Sequence, residues 1–156
     1  MQRDPVLVVG GGIGGLAAAL ALARRGIEVR VFEQGSEFME IGAGIQLGPN
    51  VFHMFELLGL TDAIERYAVH PENLVMMDGI TGEEVIRMPV GSAAFRERFR
   101  GYPYGVIHRG DLHRVILEAC QRQQGVELTE SRKALRYEER GDRVALHLDG
   151  GETVQA

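Results

Sequence analysis

The chain has 156 residues, enough to bury a core of its own, and its 45% hydrophobic and 25% charged residues are the composition of a globular protein. Its net charge of −5 gives no electrostatic reason to meet nucleic acid or an anionic membrane. A single cysteine, Cys120, excludes an internal disulfide framework and fits a reducing compartment, with the cytoplasm as the expected location.

Taken in chain order, Pro5–Val9 is a continuous apolar run ending in glycines, which predicts a central parallel strand covered on both faces. Ile13–Arg25 reads as a helix in which Leu16 and Leu20 share a face and Gly26 is the stop. Its apolar part, Ile13–Ala23, is too short to span a bilayer. Glu28–Glu33 alternates and reads as a second strand, completing a strand, glycine turn, helix and strand of the size of a βαβ unit. Gly42–Gly48 is a second glycine-rich stretch, expected to be a loop, closed by Pro49-Asn50. Val51–Leu58 is predicted helical with Val51, Met54, Phe55 and Leu58 on one face, and Thr61 is predicted to cap a short helix through Tyr67.

Asn73–Asp78 and Glu84–Met88 read as a hairpin around Gly79–Gly82. Ser92–Tyr104, rich in arginine and aromatics, is expected to be irregular, with Arg96, Arg98 and Arg100 solvated. Gly105–His108 is a predicted strand leading to Arg109. Asp111–Gln123 follows as a helix whose stripe is Leu112, Val115, Ile116, Ala119 and Cys120. On that helix His113 falls off the stripe and is expected in solvent, while Cys120 is expected in the core. Val126–Thr129, Ala134–Glu139, Arg143–Leu148 and Glu152–Gln155 are predicted strands, the last three a meander. The chain ends inside the last of them, so we expect it to be part of a longer protein. The predicted class is α/β: a Rossmann-like βαβ unit with a parallel sheet plus an antiparallel β-meander.

Glycine is the compositional outlier, 21 of 156 residues, and many of these lie between Gly10 and Gly48. Gly10, Gly12 and Gly15 satisfy G-x-G-x-x-G within Gly10-Gly11-Gly12-Ile13-Gly14-Gly15. The first glycine permits the tight turn, the second a close approach of pyrophosphate, and the third close packing of helix on strand. The helix N-terminus then offers free N–H groups and a positive dipole end to phosphate. Glu33 stands at the tip of the second strand, where a carboxylate accepts from a ribose 2′-hydroxyl and repels a 2′-phosphate. This geometry alone does not separate FAD from NAD, because both present an ADP moiety. The histidines show no metal-ligand spacing, so no metal site is expected.

Beyond the βαβ unit, Glu40-Ile41-Gly42-Ala43-Gly44-Ile45-Gln46-Leu47-Gly48-Pro49-Asn50 and His108-Arg109-Gly110-Asp111-Leu112-His113 resemble segments of the flavoprotein aromatic hydroxylases, FAD monooxygenases of the p-hydroxybenzoate hydroxylase fold. Within that superfamily, Gly42–Asn50, Asn73–Asp78 and Pro103–Arg109 are most similar to the 3-hydroxybenzoate 6-hydroxylases, with salicylate 1-hydroxylases and 6-hydroxynicotinate 3-monooxygenases as near relatives. The resemblance implies that residues 1–156 are the N-terminal part of an FAD-binding domain, with the substrate domain and later FAD motifs missing. It implies Gly14 and Gly15 at the pyrophosphate, Glu33 at the adenosine ribose with Gln34 beside it, Gln46 near the ribityl chain or ring, and Arg109 toward the ribityl–phosphate region. Without it, Arg109 reads as a solvated residue ahead of a helix. The implied activity is hydroxylation of a small aromatic acid, 3-hydroxybenzoate to gentisate, with NADH or NADPH and O₂. The groups that polarise the phenol lie past residue 156 in that family, so no catalytic residue is assigned. An NAD-dependent dehydrogenase or reductase domain is the alternative reading, and a homodimer is among the assemblies the sequence allows.

Overall fold

A computed structural model describes residues 4–39 and 42–156; Glu40 and Ile41, which open the second glycine-rich stretch, lie outside the described residues. The elements run β1 (Val6–Val9), α1 (Ile13–Ala23), β2 (Val29–Phe32), β3 (Gly44–Leu47), α2 (Pro49–Leu57), α3 (Thr61–Glu65), β4 (Leu74–Met77) and β5 (Glu84–Met88). They continue as α4 (Ala93–Arg98), β6 (Gly105–His108), α5 (Arg109–Arg122), β7 (Val126–Thr129), β8 (Ala134–Arg140), β9 (Arg143–Leu148), a 3-10 turn at Asp149–Gly151 and β10 (Thr153–Gln155). The chain divides into two compact units, one of Met1–Ile41 with Leu112–Ala156 and one of Gly42–Asp111.

In the first unit a parallel sheet of order β1-β2-β7 pairs Val6 with Val29 and Val29 with Val126. The middle strand is therefore β2, where the sequence pointed to β1 as central. Val9 is 58% exposed, because β7 returns to the far side of β2 and β1 is left at the edge of the described sheet. Both faces of β2 are nevertheless covered. Val29 and Val31 pack with Ala19 of α1, flanked by Val8 and Leu22, on one side. Phe32, with Leu7 behind it, packs on the other against Leu146, Leu148 and Val154 of the antiparallel meander β10-β9-β8. Two apolar faces on one strand are what a layer of helix, sheet and meander requires. The turn that follows α1 closes at Gly26, whose φ of +76° an L side chain rarely adopts.

The second unit contains four departures from the sequence reading. The expected loop at Gly42–Gly48 holds strand β3, paired antiparallel with β6 in the register Gly44 to His108 through Leu47 to Gly105. Part of the expected irregular stretch is helix α4, capped by Ser92, whose hydroxyl accepts from the Phe95 N–H at 3.2 Å. Thr61 is inside α3 rather than capping it, the N-cap position being Leu60. On α2 the buried face is Phe52 and Phe55, while Met54 is half-exposed, so the predicted stripe is rotated. Phe52 sets that face, its ring edge-on to Phe55 at 5.9 Å and tilted on His70 at 5.6 Å. The hairpin β4–β5 forms as expected. No helix among the described residues is long and apolar enough to cross a membrane.

His70 ties this unit together. Its Nε2 lies 2.8 Å from Glu65 Oε2 and its Nδ1 2.8 Å from the Tyr104 carbonyl, and two acceptors ask for the doubly protonated ring. Burial works against that charge, but the bonds to Glu65 and Tyr104 outweigh it and hold the pKa above the ordinary 6.5. A raised folded pKa means stabilisation that is complete below 6.5 and lost as pH rises through the folded value. Denaturant melts of the full-length protein and of His70→Gln at about pH 6 and about pH 8 should show the gap between them narrowing at the higher pH. A gap that does not change with pH would show that the charge plays no part.

Candidate functional site

The glycine turn between β1 and α1 is built by contacts that each depend on a missing side chain. Gly10 has φ +98° and its N–H donates to the Phe32 carbonyl at 2.9 Å, turning the chain off the end of the sheet. A Cβ on Gly15 would overlap the Gly10 carbonyl oxygen and stand 3.3 Å from Val8 Cγ1, so only glycine lets α1 lie this close to β1. A Cβ on Gly11 would overlap the Phe38 ring. Gly14 is different. A Cβ there would meet nothing within 4 Å, and the residue is exposed in the first turn of α1.

Gly12 is the N-cap of α1 and has no side chain to satisfy the first-turn N–H groups, and no acidic residue sits in that turn to offset the dipole. The open space over Gly14 and the uncapped helix start together fit a pyrophosphate, which would supply the acceptors and the negative charge that the chain withholds.

Glu33 follows β2 directly. Its carboxylate accepts from the Gly11 N–H at 2.7 Å and from the Gly35 N–H at 2.8 Å. The Gly35 bond holds its pKa below the usual carboxylate range; burial opposes this, and the N–H groups of Gly11 and Gln34 and the nearby His113 add to the lowering. The group is thus a fixed anion at the mouth of the glycine turn. Gln34 beside it is exposed.

His113 corrects the sequence reading. It is 3% exposed, and its Nε2 lies 2.7 Å from the Gly11 carbonyl oxygen. Helix α5 buries Leu112, Val115, Ile116 and Cys120 as expected, but its buried face is wider than the apolar stripe and takes in His113 as well. Cys120 donates to the Leu16 carbonyl at 3.3 Å, and burial pushes its thiol up to about 11, as suits a core residue rather than a nucleophile.

The predicted site residues thus fall into two groups. Gly10, Gly12, Gly14, Gly15, Glu33 and Gln34 belong to the first unit, and Gln46 and Arg109 to the second. Gln46 is exposed on β3 opposite Val106. Arg109 starts α5, its N–H donates to the Ala43 carbonyl at 3.1 Å, and its stem runs past Gly42, where a Cβ would stand 2.9 Å from Arg109 Cδ. Also in the second unit, Arg98 and Arg100 line an open cleft of about 230 Å³ with Pro49, Asn50, His53, Phe99 and Tyr102.

Comparison with known proteins bears on this geometry. The family described as FAD binding domain matches residues 3–156. The chain is 56% identical over 135 residues to a 3-hydroxybenzoate 6-hydroxylase of Polaromonas naphthalenivorans, which covers 86% of this chain and 33% of the relative. It is 35% identical over 157 residues to a 6-hydroxynicotinate 3-monooxygenase of Pseudomonas fluorescens, covering 100% of this chain and 40% of the relative. Among solved structures, Klebsiella pneumoniae HpxO complexed with FAD and uric acid superposes with a TM-score of 0.80 at 28% identity, over 99% of this chain and 38% of that one. The chain therefore spans well under half the length of these relatives.

Proposed function

This chain belongs to the FAD binding domain family, and on that premise we propose that it is the ADP-holding portion of a flavin-dependent monooxygenase that hydroxylates a phenolic carboxylate, 3-hydroxybenzoate to gentisate. The observation that carries the cofactor part is the glycine turn with Glu33 stapled to it, open over Gly14 and uncapped at the start of α1. The substrate part rests on the 56% identity to a 3-hydroxybenzoate 6-hydroxylase. The family sets aside the alternative of an NAD-dependent dehydrogenase domain.

In this reading bound FAD would supply the redox chemistry of a hydroxylation that uses NADH or NADPH and O₂. The chain's own residues bind and orient. The N–H groups at the start of α1 take the pyrophosphate over Gly14 and Gly15, and Gly10 and Gly12 hold the turn open. Glu33 takes the adenosine ribose, with Gln34 next to it. Gln46 and Arg109 are assigned to the flavin-ward part of the cofactor, where a planar guanidinium with five N–H donors suits a ribityl–phosphate segment. The cytoplasm is the proposed location, and a homodimer the proposed assembly.

A second reading is favoured by the match to a 6-hydroxynicotinate 3-monooxygenase across the whole of this chain. It keeps the cofactor residues and changes only the ring that is hydroxylated. NADH oxidation by the flavin-loaded full-length protein, offered 3-hydroxybenzoate, salicylate and 6-hydroxynicotinate with product identification, separates the two. Stimulation by 3-hydroxybenzoate with gentisate as product is expected. Hydroxylation of salicylate or 6-hydroxynicotinate alone would overturn the substrate and leave the flavin chemistry standing.

A further inference from the structure

His113 is the one buried polar side chain among the described residues, and the reading above gives it no role. Its Nε2 faces the Gly11 carbonyl oxygen at 2.7 Å. A carbonyl only accepts, so the proton of this bond is on Nε2 and the ring is the Nε2–H tautomer or the imidazolium. The partner is equally specific. Gly11 is the buried middle of the fingerprint, and its other end is also held, its N–H bound by Glu33 at 2.7 Å. One residue of the turn is therefore clamped at both its donor and its acceptor, from β2's end on one side and from α5 on the other.

The peptide between Gly11 and Gly12 is a rigid plane in which the C=O and the N–H point in opposite directions. With the Gly11 oxygen drawn inward to His113, the Gly12 N–H is aimed the other way. Among the described residues that N–H meets no acceptor. We propose that His113 is a positioning residue for the phosphate cradle: by donating from Nε2 to the Gly11 carbonyl it fixes the peptide whose Gly12 N–H binds the ligand's pyrophosphate. Released from His113, that peptide can flip on its two flanking glycines, which resist rotation least of any residue, and the donor is then lost to the ligand. The assignment rests on the FAD reading and adds to it a residue of the chain that touches no part of the cofactor.

The test uses the full-length flavoprotein, stripped of flavin and titrated back, in wild type, His113→Leu and His113→Gln, with thermal melts run alongside. His113→Leu should weaken FAD about tenfold, and His113→Gln, whose side-chain amide can also donate, should recover most of that. Inhibition of reconstitution by ADP should weaken in parallel in His113→Leu, while inhibition by adenosine, which has no phosphate, should stay within about twofold. Equal losses for ADP and adenosine, or an unchanged FAD affinity in His113→Leu, would overturn the assignment while leaving the FAD reading intact. A wild-type protein that takes up no FAD would overturn both. If His113→Leu does not fold, ¹⁵N-histidine spectra of the wild type decide the matter. A protonated Nε2 at His113 is expected, and a bare Nε2 would rule out the donor role.

Discussion

Gly15→Ala is expected to cost the full-length protein its FAD binding, weakening it by about a hundredfold or more, and to destabilise the fold by about 3 kcal/mol. The added methyl would overlap the Gly10 carbonyl oxygen, which is backbone, and would press on Gly10 C at 3.2 Å and Val8 Cγ1 at 3.3 Å. A flexible side chain could move aside; a carbonyl fixed by the turn cannot, so α1 must lift off β1. That lift opens the packing of Ala19 on Val29 and Val31 and moves the N–H groups proposed to face the phosphate. Gly14→Ala is the matched comparison. Nothing lies within 4 Å of its new methyl, and alanine is the better helix former by about 1 kcal/mol, so this variant should melt no lower than wild type and still bind FAD more weakly. Equal melting points for wild type and Gly15→Ala would refute the close-approach argument. Unchanged FAD affinity in Gly14→Ala would remove the pyrophosphate from that surface.

Glu33→Ala is the second large effect. The carboxylate accepts from two backbone N–H groups, of Gly11 at 2.7 Å and Gly35 at 2.8 Å. Removing it leaves both donors without an acceptor, at a cost of about 2 kcal/mol for a half-buried site. FAD affinity should fall by about a hundredfold, since the ribose loses its proposed acceptor and the turn loses its staple. Glu33→Gln should sit between, because an amide can accept at only one of its two heads. The pH dependence has a definite sign. The folded pKa is lowered from 4.5, chiefly by the Gly35 N–H with burial opposing, so the stabilisation is complete above 4.5 and drains away as pH falls through the folded value. Acid titrations of unfolding should show the wild type and Glu33→Ala converging below that range. Curves that stay parallel through the acid range would mean the carboxylate is not what holds the turn.

Much of the site was legible because its logic is local. A glycine turn, the helix that follows and a carboxylate at the next strand's tip are contained within 33 residues, and each obeys rules that a short window can express. Strand β3 was not legible. Its pairing partner β6 lies some sixty residues on, and Gly44 matched to His108 leaves no alternating pattern to read. The rotated face of α2 has a similar cause: Phe52 outranks Met54 because His70 and Phe55 give it rings to pack on. His113 was hidden by the opposite error, since a polar residue beside an apolar stripe is ordinarily solvated. Only the carbonyl of a residue 102 positions earlier makes its burial affordable, and no local signal announces such a partner.

The parallel sheet has one further consequence, for the order of events on the ribosome. Strand β2 pairs with β7 at a sequence separation of 97, with all of the second unit synthesised between them. At about 5–20 residues per second, roughly 5–20 s pass in which β2 has been made and its outer edge has nothing to pair with. The clamp on Gly11 closes on the same schedule, since Glu33 emerges early and His113 late. A nascent chain therefore carries a half-fastened glycine turn and a bare strand edge while the second unit is being synthesised, a state that invites chaperone attention.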